Sequence, residues 1–306
     1  MADNKQSQQQ QHPAVSRQRL PKEIQHEHRD GNPAAFRWGV LLNSALSGLQ
    51  LAIGIGFGSL ALIGDALHNL GDVAGLLLGW GAEQLSAKPA NKQFTYGFGR
   101  STQLAAMINA SFILMAAAVV IVEGLQRFAK PIEVTAGPVA IAAFIGILVN
   151  LASARLFGNN HNHDLNKKAA VVHLLTDAAV SAAVFVSALL VQFTGIQWLD
   201  PFTGIIVGLA VAWTGWSLLR QSVVVALDGV PPGIDMEKVE STLAALPGVA
   251  GVHHIHVWGT STSQTALTAH LLRNPQAVND MELLHNAKAA LAQLGIDHST
   301  LQLEPG

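Results

Sequence analysis

Six long apolar segments constrain this chain more than anything else in it. They cover about residues 36–57, 59–84, 102–125, 136–157, 169–193 and 199–220 and are separated by short polar breaks. A helix needs about 20 apolar residues to cross a hydrocarbon core about 30 Å thick. Inside that core every backbone N–H and C=O must be satisfied within the segment, so such a run spans as a helix. The segments therefore predict a six-helix, all-α transmembrane bundle. The break at Gly56-Phe57-Gly58 is so short that the first two spans form a hairpin. Only 12% of the residues are charged, against about a quarter in soluble domains. The competing soluble fold would need six consecutive, wholly buried helices.

Lysine and arginine collect on the cytosolic side of membrane proteins. Arg29 and Arg37 precede the first span, Lys88, Lys92 and Arg100 lie between the second and third, Arg155, Lys167 and Lys168 border the loop between the fourth and fifth, and Arg220 follows the sixth. The opposite loops carry Arg127 and Lys130. Both termini are thus expected in the cytosol. Residues 1–35 lack the basic start, apolar core and cleavage site of a signal peptide and are expected to be a flexible cytosolic tail. Residues 36–221 form the membrane domain, and residues 222–306 read as soluble. There, Asp235 caps a helix to about Leu246, Val249–Trp258 and Thr265–Leu272 read as strands, Asn279 with Glu282 opens a helix to about Leu294, and Ser299–Leu303 supplies a third strand. That order predicts a small α+β domain with helices on one sheet face. A net charge of -2 points to no nucleic-acid partner.

Ionisable groups inside spans are costly and mark function by default. Of thirteen histidines, only His68 and His173 lie within spans, and each is followed four residues later by an aspartate, Asp72 and Asp177. That spacing sets both side chains of a pair on one helix face. The chain has no cysteine, so a metal site must use His, Asp or Glu, and two nitrogens with two oxygens suit tetrahedral zinc. At ~1.5 Å per residue, His68 and Asp72 lie roughly 14 and 20 Å below the outer face, and His173 and Asp177 roughly 24 and 18 Å below it. The pairs overlap in depth. Helix-to-helix hydrogen bonding by the same groups is the plainer reading. Asp65, on the face of His68, is either a second-shell acceptor for a ligand imidazole, with a share in proton relay, or a helix-packing group.

The paired His-x-x-x-Asp motifs, Phe94-Thr95-Tyr96-Gly97-Phe98-Gly99-Arg100 before the third span, and His253-His254-Ile255-His256-Val257-Trp258 resemble the cation diffusion facilitator family in its own order. The resemblance covers essentially everything after the tail. It implies a homodimeric zinc/proton antiporter in a lipid bilayer, expected to be a bacterial inner (plasma) membrane, and not an enzyme. Its transport site corresponds to His68, Asp72, His173 and Asp177, in the form of the zinc-preferring branch. It also implies a ferredoxin-like, metallochaperone-like cytosolic domain with Zn2+ at His253, His270, His285 and Glu304 and with Gln302 and Asp297 as auxiliaries. His161 and His163 resemble a shortened histidine-rich loop that passes zinc on, or are plain loop residues. His254 and His256 have no assignment, and His12, His26 and His28 invite the loop reading with less support. Arg100 and Asp228 should form a charged interlock at the inner membrane surface. Two departures stand out. Asn91-Lys92-Gln93-Phe94, with Phe98, occupies a loop where some relatives bind metal, so none is expected there. Gln50 sits where many zinc-branch members carry Glu. The alternatives are a broader divalent metal (Co, Ni, Cd, Fe, Mn) or a metal-sensing relative without flux.

Overall fold

Packing in this chain is led by small residues. Ala61, Ala66, Ala110, Ala117 and Ala143 are buried, whereas Phe193, Trp213 and Trp216 point outward, as expected where lipid rather than water surrounds the helices. The computed structural model describes residues 33–156, 165–274 and 279–306, so His161, His163, His12, His26 and His28 lie outside the described residues. Six helices come first: α1 (Pro33–Gly56), α2 (Leu60–Ser86), α3 (Ser101–Ala129), α4 (Ala136–Leu156), α5 (Leu165–Thr194) and α6 (Leu199–Ala226). Five of them, α2 to α6, are long and apolar enough to cross a bilayer, and α1 carries an apolar run over Leu41–Gly56. Helix α3 outlasts its predicted span and stops at Ala129, with Lys130, which precedes Pro131, out of the α region at φ -133 and ψ 82, as the proline ring demands. Where α2 crosses α3, a Cβ on Gly75 would stand 2.5 Å from Asn109 Nδ2, so a larger residue there would have to displace the Asn109 side chain. Residues Leu41–Gly306 make one compact body.

The loops at the end away from the C-terminal domain knit together. Gly58 turns the α1–α2 hairpin at φ 77, and a Cβ there would meet Glu133 O at 2.8 Å. Arg127 Nη1 donates to Gly58 O at 2.5 Å, and Thr135 N donates to Phe57 O at 3.1 Å. Asp200, in the first turn of α6, accepts from Ser59 Oγ at 2.5 Å and from Leu60 N at 2.6 Å. Ser59 itself accepts from Leu62 N at 3.1 Å, so α6 helps to cap α2 from 140 residues away. Replacing Asp200 by alanine leaves two buried donors unpaired and is expected to cost about 2 kcal/mol. The check is thermal unfolding of detergent-solubilised Asp200→Ala, and a midpoint equal to wild type would show that the cap carries no weight.

The C-terminal domain follows the predicted order, with α7 (Met236–Ala244), β1 (Val249–Gly259), β2 (Thr265–Arg273), α8 (Asp280–Gln293) and β3 (His298–Pro305). β1 pairs antiparallel with β2, and β2 pairs parallel with β3 across the α8 crossover. Val239, Leu243, Leu283, Ala287 and Leu291 of the two helices are buried and cover the sheet face formed by Val257, Leu267, Ala269 and Leu271. The opposite sheet face is left open, and it is the face that carries the histidines. The β1–β2 turn rests on the start of α3, where Gln103 Nε2 donates to Gly259 O and Thr262 N to Thr102 Oγ1, both at 3.2 Å.

Candidate metal sites

Between α2 and α5, four side chains face one another. His68 Nε2 lies 3.7 Å from Asp72 Oδ2 and 3.4 Å from Asp177 Oδ1. His173 Nε2 lies 3.3 Å from Asp72 Oδ2 and 3.6 Å from Asp177 Oδ2. Each nitrogen thus faces both carboxylates in a closed ring. Ligands about 2.0–2.1 Å from a tetrahedral zinc stand about 3.4 Å apart, which is the spacing seen here. Asp72 Oδ2 and Asp177 Oδ1 have no hydrogen-bond partner. Both oxygens face the imidazole nitrogens. Exposure is graded: Asp177 is 2% exposed, His68 12%, Asp72 23% and His173 50%. Residues Leu60–Leu62, before the set on α2, are buried, and Leu76–Leu78, after it, are exposed.

Asp65 does not serve His68. Its Oδ2 accepts from Ser181 Oγ at 2.9 Å and from Gln50 Nε2 at 3.2 Å, with Asn69 Nδ2 3.5 Å from Oδ1, while His68 Nδ1 has no partner. Of the two readings left open for Asp65, these bonds match helix packing rather than a bond to a ligand imidazole. Asp65 is fully buried, and it ties α1, α2 and α5 together beside the four facing side chains. The α1 donor is Gln50, the residue noted in the sequence as a departure.

A second cluster lies on the open sheet face. His253 pairs with His270 across β1 and β2, and His270 pairs with Gln302 across β2 and β3. Glu304, two residues along β3 and so on the same face, stands within hydrogen-bond reach of both rings, its Oε2 3.0 Å from His253 Nε2 and its Oε1 2.7 Å from His270 Nδ1. Gln302 Nε2 donates to Glu304 Oε1 at 3.0 Å. Burial opposes ionisation of Glu304, but the hydrogen bonds from His270 and His253 outweigh it and hold the carboxyl below its ordinary value. Two residues of the expected set stand elsewhere. His285 is on the exposed side of α8, because the buried side of that helix packs on the opposite sheet face. Asp297 accepts from Thr265 N at 3.0 Å and so starts β2. His254, unassigned in the sequence, sits with its Nδ1 2.9 Å from His253 Nδ1. Arg100 and Asp228 form an ion pair. Both are about half exposed (52% and 58%), and an exposed pair contributes at most about 1 kcal/mol.

Residues 37–225 match the family described as "Cation efflux transmembrane domain", and residues 231–306 match "Cation efflux protein, cytoplasmic domain". The chain belongs to the cation diffusion facilitator family. Its similarity to individual family members runs nearly end to end. It is 33% identical over 281 residues to the "Metal cation efflux system protein CzcD" of Cupriavidus metallidurans, covering 91% of this chain and 89% of that protein. It is 31% identical over 281 residues to the "Zinc transporter ZitB" of Escherichia coli, covering 91% and 90%. It is 29% identical over 284 residues to the "Cadmium, cobalt and zinc/H(+)-K(+) antiporter" of Bacillus subtilis, covering 91% of each. As a cation diffusion facilitator the chain is an integral membrane transporter of metal cations and not an enzyme.

The sequence missed Ser181, Asp200 and His254. Ser181 had a readable signal, a hydroxyl one turn after Asp177 on a face of α5. Asp200 sits at the very mouth of a span, where an acidic residue is ordinary. His254 had none, because a strand is expected to point it away from His253.

Proposed function

We propose that this transporter exports zinc from the cytosol in exchange for protons, with His68, Asp72, His173 and Asp177 as the alternating-access site. The observation that carries this is the ring of nitrogen and oxygen atoms 3.3–3.7 Å apart between α2 and α5. Zinc takes only deprotonated ligands, so binding releases protons and acid releases zinc. A site open first to one side and then to the other couples the two flows. Residues 36–221 would form the membrane domain and residues 222–306 the cytosolic one, in a bacterial inner membrane with both termini cytosolic, as the distribution of Lys and Arg supports. Two copies would join through the cytosolic domains. A second zinc would sit at His253, His270 and Glu304, where a carboxylate facing two imidazoles matches a metal's donor chemistry. A broader cargo is the second reading, supported by the name of the Bacillus subtilis relative.

The test is uptake into reconstituted vesicles that enclose a zinc-sensitive dye. An acidic interior should speed zinc entry, and a protonophore should abolish that acceleration. Entry that ignores the pH gradient would remove the antiport mechanism. Competition by cadmium or cobalt at equal concentration would favour the broader cargo.

A further inference from the structure

We propose that His254 is a positioning residue of the cytosolic metal centre, accepting a hydrogen bond from the Nδ1–H of His253 so that His253 Nε2 faces the metal beside Glu304 and His270. The inference rests on the metal centre proposed above and adds the group that fixes one ligand's tautomer and direction.

The backbone first explains how His254 comes to be there. Successive strand residues point to opposite sheet faces, so His254 should point away from His253, into the helix-covered core. The β1–β2 register instead slips between His253 and His256, a one-residue bulge. Val252, Ile255 and Val257 all pack into the core, which leaves the consecutive pair His253 and His254 together on the open face. His254 meets this demand at φ 51, in the left-handed region that a residue other than glycine seldom adopts. His253, His254 and His270 stand with ring centroids 5.2 Å from one another.

Accounting for the ring nitrogens then gives His254 its role. His253 Nε2 faces Glu304 Oε2 at 3.0 Å, and its Nδ1 faces His254 Nδ1 at 2.9 Å. His270 presents its Nδ1 to the same carboxylate at 2.7 Å. A metal held on the Glu304 side takes His253 Nε2, so the proton of the neutral imidazole must sit on Nδ1. His254 Nδ1 is the acceptor standing opposite that proton. A ligating histidine nearly always donates its other N–H to such a partner, which fixes ring orientation and raises basicity. The three rings could also offer nitrogens within 4.8 Å of one another as a ligand set of their own. That arrangement would use His253 Nδ1 and turn the ring's metal-binding edge away from Glu304.

Cobalt(II) titration of the full-length protein in detergent separates these cases. His68→Ala and Asp177→Ala are included to silence the membrane site, and the visible cobalt spectrum reads coordination number as well as affinity. His254→Gly accepts the backbone conformation without strain but has no acceptor, and it should weaken cobalt binding about 10- to 100-fold with band intensity per bound ion unchanged. His254→Asn tolerates the left-handed backbone and offers an amide oxygen, so it should restore binding close to wild type. The inference is overturned if His254→Gly binds as wild type, if its spectrum reports a lost ligand, or if His254→Asn is as weak as His254→Gly. Failure of the underlying metal centre looks different: His253→Ala and Glu304→Ala would then leave cobalt binding intact, whatever stands at position 254.

Discussion

Asp177→Asn is expected to reduce zinc flux at least about 100-fold while the protein still folds and inserts. Asp177 is 2% exposed and is the carboxylate that faces both His68, at 3.4 Å, and His173, at 3.6 Å. The amide keeps the shape of the side chain but removes one of the two anions that offset a divalent charge. Breaking a buried charge pairing costs about 3–5 kcal/mol, and every ~1.4 kcal/mol is tenfold in affinity. Asp177 Oδ1 makes no hydrogen bond and faces only the His68 imidazole, at 3.4 Å, so the loss should fall more on metal binding than on folding. Vesicle uptake together with elution from a sizing column distinguishes the two. A monodisperse Asp177→Asn protein with wild-type flux would dismiss these four residues as the transport site.

Selectivity should respond to His68. His68→Asp is expected to shift preference away from zinc toward cadmium and manganese, rather than simply to abolish transport. Imidazole offers one nitrogen at a fixed angle, and His68 Nε2 is aimed between Asp72 and Asp177, an arrangement suited to a small tetrahedral ion. A carboxylate binds through one or both oxygens and so accepts larger ions and higher coordination numbers. It also makes the ligand set harder, which favours oxygen-seeking cations relative to zinc. Competition uptake of zinc against cadmium and manganese, wild type beside His68→Asp, supplies the measurement. An active variant with an unchanged selectivity ratio would show that His68 does not choose the metal.

The elements and the site were not equally legible before folding. Spans were readable because hydrocarbon tolerates only self-satisfied helices, and the helices of the C-terminal domain because their caps are local. Asp235 accepts from Glu237 N at 3.0 Å, and Asn279 from Met281 N at 3.0 Å, each within two residues of the cap. The His68–Asp72 and His173–Asp177 pairs were readable because an interval of four residues returns a helix to the same face. Whether two such faces meet depends on how α2 and α5 rotate against each other, and overlapping depth along the membrane normal constrained that from outside the structure.

Sequence alone determined the six apolar spans, the order of elements in the soluble domain and the four ionisable residues that face one another between α2 and α5. Tertiary structure decided the partners of everything else. Asp65 turns to Ser181, 116 residues away, rather than to His68 one turn along its own helix. Asp200 caps a helix from 140 residues away, His285 is carried to the covered side of the sheet, and a single-residue bulge brings His254 next to His253. Contacts within about four residues are fixed by the periodicity of the helix or strand that contains them. Contacts across elements depend on rotation, register and bulges, and those are set by how all the packed side chains fit at once.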